Sequence, residues 1–185
     1  PWYKAQVKTL KFEEEKPFAV SPKFMSTVLD EEGNDLKGFN GKVIEKKVIQ
    51  ILLNGYNTDN PYGKKAAVVD ATLFTSSALT KIQEKIEDTL ETIFTSSNVS
   101  FHTFALTSFS IIRDMFKTEK DFIIIDVSGE TTDIMLVKDE IMKKMDSFNL
   151  GKNFLIRRVA DSFNTVNEEA HSLMRLFFDG KGKES

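Results

Sequence analysis

The spacing of apolar and polar residues divides the first half of the chain into short strands and amphipathic helices. Loose alternation predicts a strand over residues 6–12, which the charged cluster after it ends. Ser21-Pro22 predicts a short helix, because Ser caps helix N-termini well and Pro suits the first helical position. Runs rich in β-branched residues then predict strands over residues 47–53 and 66–74.

The clearest helical pattern follows the second of these strands, and Ser76 or Ser77 is predicted to cap its first turn. Apolar residues recur there every three or four positions, and charged residues stand between them, as expected for a helix with one face on a core. The apolar positions are Leu79, Ile82, Ile86, Leu90 and Ile93. Residues 99–106, which include His102, alternate again and predict a further strand.

The second half begins with a predicted short helix over residues 108–116. The almost wholly apolar run 121–127 predicts a strand buried on both faces. Two more strands, over residues 132–138 and 141–149, are separated by a tight turn, so the three strands are predicted to form a meander. Two helices complete the pattern, over about residues 153–163 and 166–178.

Composition excludes several classes of function. The 185 residues are 41% apolar and 29% charged, which is ordinary for a folded soluble protein. A net charge of −3 gives no basic field for nucleic acid. The absence of Cys excludes disulfides, thiolate zinc sites and a Cys nucleophile, and two isolated His cannot build a His-rich metal site. No apolar run approaches the roughly 20 residues of a membrane helix, so no transmembrane segment is predicted.

The segment that carries chemistry is residues 126–134, Asp-Val-Ser-Gly-Glu-Thr-Thr-Asp-Ile. The apolar strand ends at Asp126, a turn of small residues follows, and a second strand begins. The backbone N–H groups of such a turn can bind phosphate, and a carboxylate beside it can order Mg²⁺ through water. Thr hydroxyls can add donors. An ordinary β-hairpin with a Gly turn accounts for the same residues, so both interpretations stay open at this point.

The segment resembles the second phosphate loop of the actin and heat-shock chaperone superfamily, whose pattern is Asp-x-Gly-Gly-Gly-Thr-Thr-Asp-Ile. The surroundings resemble the FtsA/PilM branch of that superfamily. Leu150-Gly151 stands where those relatives have Leu-Gly-Gly at the start of a helix, and a paired Glu follows at residues 168–169. Upstream, residues 48–66 with their Asn-Gly-Tyr turn resemble the strand–helix–strand–strand module that this branch inserts into the actin fold.

The resemblance implies an α/β (α+β) fold, a partial actin/ribonuclease-H-like fold with a mixed sheet and a small inserted α+β module. Residues 1–106 would be that module with its preceding strand and helix, and residues 107–185 the start of the second actin-like domain. ATP and Mg²⁺ would be cofactors of a full-length parent, with Mg²⁺ held through water. The residues implied to bind nucleotide are Asp126, which also serves the metal, Ser128, Gly129, Glu130, Thr131, Thr132 and Gly151.

Two departures from the family's phosphate-loop pattern bear on nucleotide binding. Ser128 and Glu130 replace the first and third glycines, and a Glu carboxylate repels phosphate oxygens unless a metal lies between them. The family's first phosphate loop is expected upstream of residue 1 and its adenosine-binding segment downstream of residue 185. We therefore expect the chain alone to be inactive, without useful affinity for ATP. Whether the parent is an ATPase stays open.

By resemblance, such proteins are assembly platforms in the cytoplasm, at the inner face of the membrane, for cell division or type IV pilus building. Their partners would be proteins, through self-assembly or through division or pilus components, with membrane association only through those partners. Two other classes of protein stay open as alternatives to the platform: a non-catalytic adaptor of the same fold, and a small-molecule kinase of the same superfamily. Asp133 would serve the loop or orient its turn, and Arg157 would reach phosphate or face solvent.

Overall fold

The computed structural model describes residues 2–31, 36, 38–94 and 98–181. These residues form seven strands and five helices. The strands are β1 (Tyr3–Ala19), β2 (Lys42–Leu53), β3 (Tyr56–Asn57), β4 (Lys65–Ala78), β5 (Phe122–Val127), β6 (Thr132–Lys138) and β7 (Ile141–Phe148). The helices are α1 (Pro22–Glu31), α2 (Thr80–Ile93), α3 (Phe104–Met115), α4 (Lys152–Phe163) and α5 (Asn167–Phe178).

The chain divides into two compact units. The large unit comprises Trp2–Ile124 and Ile134–Asp146, and the small unit comprises Ile125–Asp133 and Ser147–Ser185. Strands β5, β6 and β7 form a three-stranded sheet in that order. The predicted domain boundary at residue 106 concerns the parent fold and stays a prediction.

The large unit contains a four-stranded sheet in the order β1-β4-β2-β3. All of its strand pairs are antiparallel. Short connections join β2 to β3 and β3 to β4, and parallel pairing requires a crossover of a dozen residues or more. The Asn54-Gly55 turn between β2 and β3 has positive φ at both residues, as a type I′ hairpin turn requires.

Strand β1 is longer than predicted, because it continues through the charged cluster to Ala19. Its register against β4 shifts between Glu13 and Phe18. The charged cluster that was expected to end the strand lies in this irregular stretch, and pairing continues after it. Pro17 is tolerated there because β1 lies at the edge of the sheet. On the two sides of this irregularity, Phe12 and Phe18 each pack against Phe24 of α1.

Apolar clusters cover both faces of the large unit's sheet. On one face, Met25 and Val28 of α1 pack against strand residues that include Ile51 and Leu73. The other face carries what we call the Phe74 core, in which Phe74 is wholly buried. Its buried members are Ala5, Phe74, Ala105, Leu106, Phe109, Ile124, Met135, Val137, Met142 and Met145. Covered on both faces, the central strand β4 is buried over its last eight residues.

That burial corrects the prediction that Ser76 or Ser77 caps a helix. Both residues lie in β4 and are fully buried, since the strand runs four residues past its predicted end. Helix α2 begins at Thr80, and its N-cap, Leu79, makes no side-chain capping bond. A polar Ser-Ser pair before an amphipathic helix is typical of a cap, but burial of β4 on both faces outweighs that local preference.

We expect Thr75→Val to stabilise the large unit by about 1 kcal/mol. The Thr75 hydroxyl is buried and has no hydrogen-bond partner among the described residues, so Val keeps its shape and removes an unpaired polar atom. Thr72→Val is the matched control on the same strand, because the Thr72 hydroxyl lies 2.9 Å from that of Thr9. Urea denaturation should show opposite shifts, and equal destabilisation by both substitutions would contradict the assignment.

The strand predicted over residues 99–106 is wrong. Residues 98–103 form no regular element, and α3 begins at Phe104, four residues before the predicted helix. Glu45 of β2 accounts for the change, because its largely buried carboxylate accepts hydrogen bonds from the Thr103 N–H (3.2 Å) and hydroxyl (2.9 Å). His102 Nδ1 lies 3.0 Å from the same carboxylate. The bonds from Thr103 to Glu45 hold the residue before α3 in place, and no local sequence pattern reveals them.

Strand β5 is also less buried than its sequence predicted. Ile124 is 9% exposed, but Ile123 and Ile125 are 61% and 60% exposed. Successive side chains of a strand point to opposite faces, so only one face of β5 is covered within the described chain. The prediction of burial on both faces is therefore wrong for this structure.

The small unit contains the α4–α5 hairpin, whose core consists of Ile156, Ala160 and Ala170, with Val159 and Met174 packed against it. Asn164 ends α4 in the left-handed conformation that commonly closes helices. Both helices lie within one residue of their predicted bounds, because their apolar spacing is regular and their ends carry no competing signal.

Candidate phosphate loop

The predicted phosphate loop is the turn between β5 and β6, and it lies in the small unit. The Ser128 N–H donates to the Thr131 carbonyl at 2.9 Å and closes the turn. Asp126 is half-buried at the end of β5, and the Ser128 hydroxyl lies 3.5 Å from its carboxylate, at the outer limit of a hydrogen bond. Thr131 is half-buried. The structure thus brings the loop residues implied by the resemblance to one short turn.

The start of α4 lies directly against this loop. The Lys152 N–H donates to the Ser128 carbonyl and the Asn153 N–H to the Gly129 carbonyl, both at 2.8 Å. A Cβ on Gly151 would stand 2.5 Å from the Gly129 carbonyl oxygen, so only glycine fits between the loop and the helix. Two of the first free N–H groups of α4 are therefore bound to protein oxygens and not directed at an external anion.

Glu130 is directed to the side of the same helix. Arg157 holds its carboxylate through two parallel hydrogen bonds, Nη1 to Oε1 at 3.0 Å and Nη2 to Oε2 at 2.9 Å. The Asn153 amide donates a third bond at 3.0 Å. Arg157 was predicted to face solvent or reach phosphate, and its carboxylate partner was missed. The two residues are 27 positions apart, so no sequence spacing signals the pair.

The geometry predicts a pH-dependent contact. Hydrogen bonds from Arg157 and then Asn153 lower the pKa of Glu130 from its ordinary 4.5 to about 2. Because the folded-state pKa is depressed, the contact stabilises the fold above pH 4.5 and loses that contribution as the pH falls towards 2. In a carbon-13 NMR titration we expect the Glu130 carboxyl to stay ionised at pH 3.5, and Arg157→Gln to raise its midpoint. A midpoint near 4.5 in the unaltered chain would contradict this.

Two further loop residues are tied to their neighbours. The Thr132 hydroxyl donates to the Leu150 carbonyl at 2.6 Å, so its proton is not directed at the turn. Asp133 is buried, and the Ser147 hydroxyl donates to its carboxylate at 2.6 Å. Burial raises the pKa of Asp133, and the Ser147 bond opposes that rise. Asp133 therefore connects β6 to β7 and orients the strand that follows the turn. Ser147 was not singled out from the sequence.

These contacts define what the site can do chemically. Within the described ranges, no three His, Asp or Glu side chains come together as metal ligands. A single half-buried carboxylate, Asp126, fits a cation held through water and does not form a direct metal cage. Glu130, Thr132 and Gly151 are engaged with the protein. That leaves Ser128, Gly129 and Thr131 as the residues at which an anion can be bound, and Asp126 as the residue for a cation held through water.

No protein-family model matches the sequence, and no curated protein matches it. Among solved structures, the chain is similar to a chain of a "PilM-PilN type IV pilus biogenesis complex", with a TM-score of 0.60 and 15% sequence identity. The match covers 94% of this chain and 48% of that chain, so this chain spans about half the length of its structural relative. The likeness shows a PilM-like fold, and with it the predicted partial actin-like α+β fold is confirmed.

None of the described helices has both the length and the apolar character that a membrane span needs.

Proposed function

We propose that this chain is part of a PilM-like assembly platform for the type IV pilus, acting through protein partners at the cytoplasmic face of the inner membrane. The observation that carries the proposal is the fold likeness over 94% of the chain to a member of a pilus biogenesis complex. The order of module, phosphate-loop segment and two helices along the sequence supports the same branch of the superfamily.

The proposal includes a PilN-type protein as the partner. Its test is binding between the longest natural reading frame that contains this chain and the PilN-type protein of the same organism, measured by biolayer interferometry. Saturable binding at micromolar concentration is expected, and the FtsZ-type division protein of the same organism serves as the control. Binding to the division protein alone would overturn the pilus proposal and favour an FtsA-type role.

ATP and Mg²⁺ belong to the proposal only for a longer parent protein. There the turn residues Ser128, Gly129 and Thr131 would contact phosphate, and Asp126 would order Mg²⁺ through water. Such binding would couple the nucleotide to assembly. The small-molecule kinase stays an untested alternative, and the Asn54-Gly55 hairpin of the inserted module favours the platform over it.

A second candidate, an adaptor that works without nucleotide, is favoured by the contact between Glu130 and Arg157. The Glu130 carboxylate is an anion that belongs to the loop, and it accepts two hydrogen bonds from Arg157 and one from Asn153. These bonds order the loop without phosphate. Calorimetric titration of the longest natural reading frame with ATP and Mg²⁺ separates the two candidates. Micromolar affinity supports the nucleotide-linked platform, and no binding by well-folded protein supports the adaptor.

A further inference from the structure

The contact between Glu130 and Arg157 uses a set of donors that also suits phosphate oxygens. Asn153 and Arg157 are four positions apart on α4, so their side chains lie on one face of the helix. Both donate to the Glu130 carboxylate. A guanidinium binds carboxylates and phosphates in the same way, through two parallel N–H groups. The Glu130 carboxylate therefore stands where an external oxyanion can bind.

This donor set keeps its position without the Glu130 side chain. The first two N–H groups of α4 donate to carbonyl oxygens of the loop at 2.8 Å, and these bonds are between backbone atoms. They hold the start of the helix against the loop whether or not Glu130 contacts Arg157. An exchange of anions at Arg157 therefore requires rotation of one side chain and no unfolding of the loop.

The pair is accessible and its anion is displaceable. The Arg157 side chain is 49% exposed and that of Glu130 is 61% exposed. Ion pairs with such exposure contribute little, because water and salt screen them. A carboxyl pKa of about 2 keeps Glu130 ionised at neutral pH, so displacement there requires another anion and not a proton.

Space for a second anion lies beside the guanidinium. Asn153 and Arg157 line a cavity of about 300 Å³ between α4 and α5, and Glu168 and His171 are the other titratable residues of its lining. Two of the five N–H donors of Arg157 are bonded to Glu130, which leaves three for another ligand. A phosphate that enters this cavity meets Arg157 while Glu130 is still bound.

We propose that Arg157 and Asn153 form a masked phosphate site, in which the Glu130 carboxylate is the resident anion. A phosphate group, free or at the end of a nucleotide, displaces Glu130 and takes the two parallel donors of Arg157. Because Glu130 lies between Gly129 and Thr131 in the turn, the released site adjoins the residues proposed to contact phosphate. The inference rests on the proposed nucleotide role of this turn, and it adds the contact that controls access to it.

The test is a titration of this chain with inorganic phosphate at constant ionic strength, followed by NMR of the Arg157 Nε–H group. Glu130→Gln keeps the shape of the side chain and removes its charge. We expect this variant to bind phosphate roughly fivefold more tightly than the unaltered chain, the factor that loss of a well-formed exposed ion pair implies. Adding Arg157→Gln to it should abolish the gain.

Asp161→Asn is the matched control for the change in net charge. Asp161 is exposed one turn beyond Arg157 on α4, and no ion pair joins the two within the described part of the chain. Its substitution should raise phosphate affinity less than Glu130→Gln does. Equal gains from the two substitutions would overturn the proposal, because the effect would then be one of net charge alone.

The unaltered chain provides a second measurement that needs no variant. As phosphate saturates the site, the carbon-13 signal of the Glu130 carboxyl and the Arg157 Nε–H signal should shift together. A shift of the Arg157 signal alone would overturn the proposal, as would a well-folded Glu130→Gln variant without Arg157-dependent gain. ADP in place of phosphate identifies the source: an equal gain assigns the terminal phosphate of a nucleotide, and a gain with inorganic phosphate alone assigns the free ion.

These outcomes are distinguishable from failure of the proposed function. If the longest natural reading frame binds ATP but Glu130→Gln gains no affinity for phosphate, only the masked site is wrong. If Glu130→Gln gains Arg157-dependent affinity but the parent protein binds no ATP, the site stands and the nucleotide role of the turn falls.

Discussion

Phe74→Ala is expected to lower the free energy of unfolding of the large unit by about 3–5 kcal/mol. Phe74 is wholly buried on the central strand, between strands β1 and β2, and it contacts the apolar cluster named after it. Truncation removes the transfer free energy of the ring and leaves a cavity that surrounding side chains refill only in part. Urea denaturation followed by circular dichroism measures the loss.

Phe178→Ala is the control for this substitution. That ring is 74% exposed at the end of α5, so its removal should change the free energy of unfolding by no more than about 0.5 kcal/mol. If Phe74→Ala were as mild as Phe178→Ala, the Phe74 core would not be the main apolar cluster of the large unit.

Gly151→Ala is expected to destabilise the small unit by about 1–3 kcal/mol, the range for adding a methyl group where none fits. The obstacle is space and not backbone strain, because Gly151 has φ −129°, which any residue adopts. The new methyl carbon would meet the carbonyl oxygens of Gly129 and Ser128 at 2.5 and 2.6 Å. The loop or the start of α4 must then move apart.

Amide hydrogen exchange reports that separation directly. In the unaltered chain the Lys152 and Asn153 amides donate to the loop, so Gly151→Ala should speed their exchange well before the rest of α4. Lys152→Ala, an exposed side-chain truncation one residue away, should leave the exchange of Asn153 unchanged. Unaltered exchange at both amides in Gly151→Ala would show that the loop does not depend on the glycine.

Elements whose signal is local were predicted well from the sequence. Strands β5 to β7 and helices α4 and α5 have regular periodicity and clear turns, and their bounds agree with the prediction to within one residue. Asp139 and Glu140 both take the left-handed conformation at the tight turn that was predicted between β6 and β7. The phosphate-loop residues lie together because one turn of consecutive residues holds most of them.

Features that depend on distant partners were missed. The end of β4 looked like a helix cap because the two Ser residues carry a strong local preference, which burial on both faces outweighs. Residues 99–103 looked like a strand, but Glu45 holds Thr103 from 58 positions away. Glu130 looked like a residue that opposes phosphate, and its own partner Arg157 lies 27 positions on. Such contacts require the fold before they can be recognised.

The most direct test of the platform account is deletion, in the source organism, of the reading frame that contains this chain. Surface pili are then counted by electron microscopy, and cell length is measured in the same cultures. The account predicts loss of pili with normal cell length, restored by the unaltered gene. Filamentous cells that keep their pili would contradict the pilus role and point to an FtsA-type function in division.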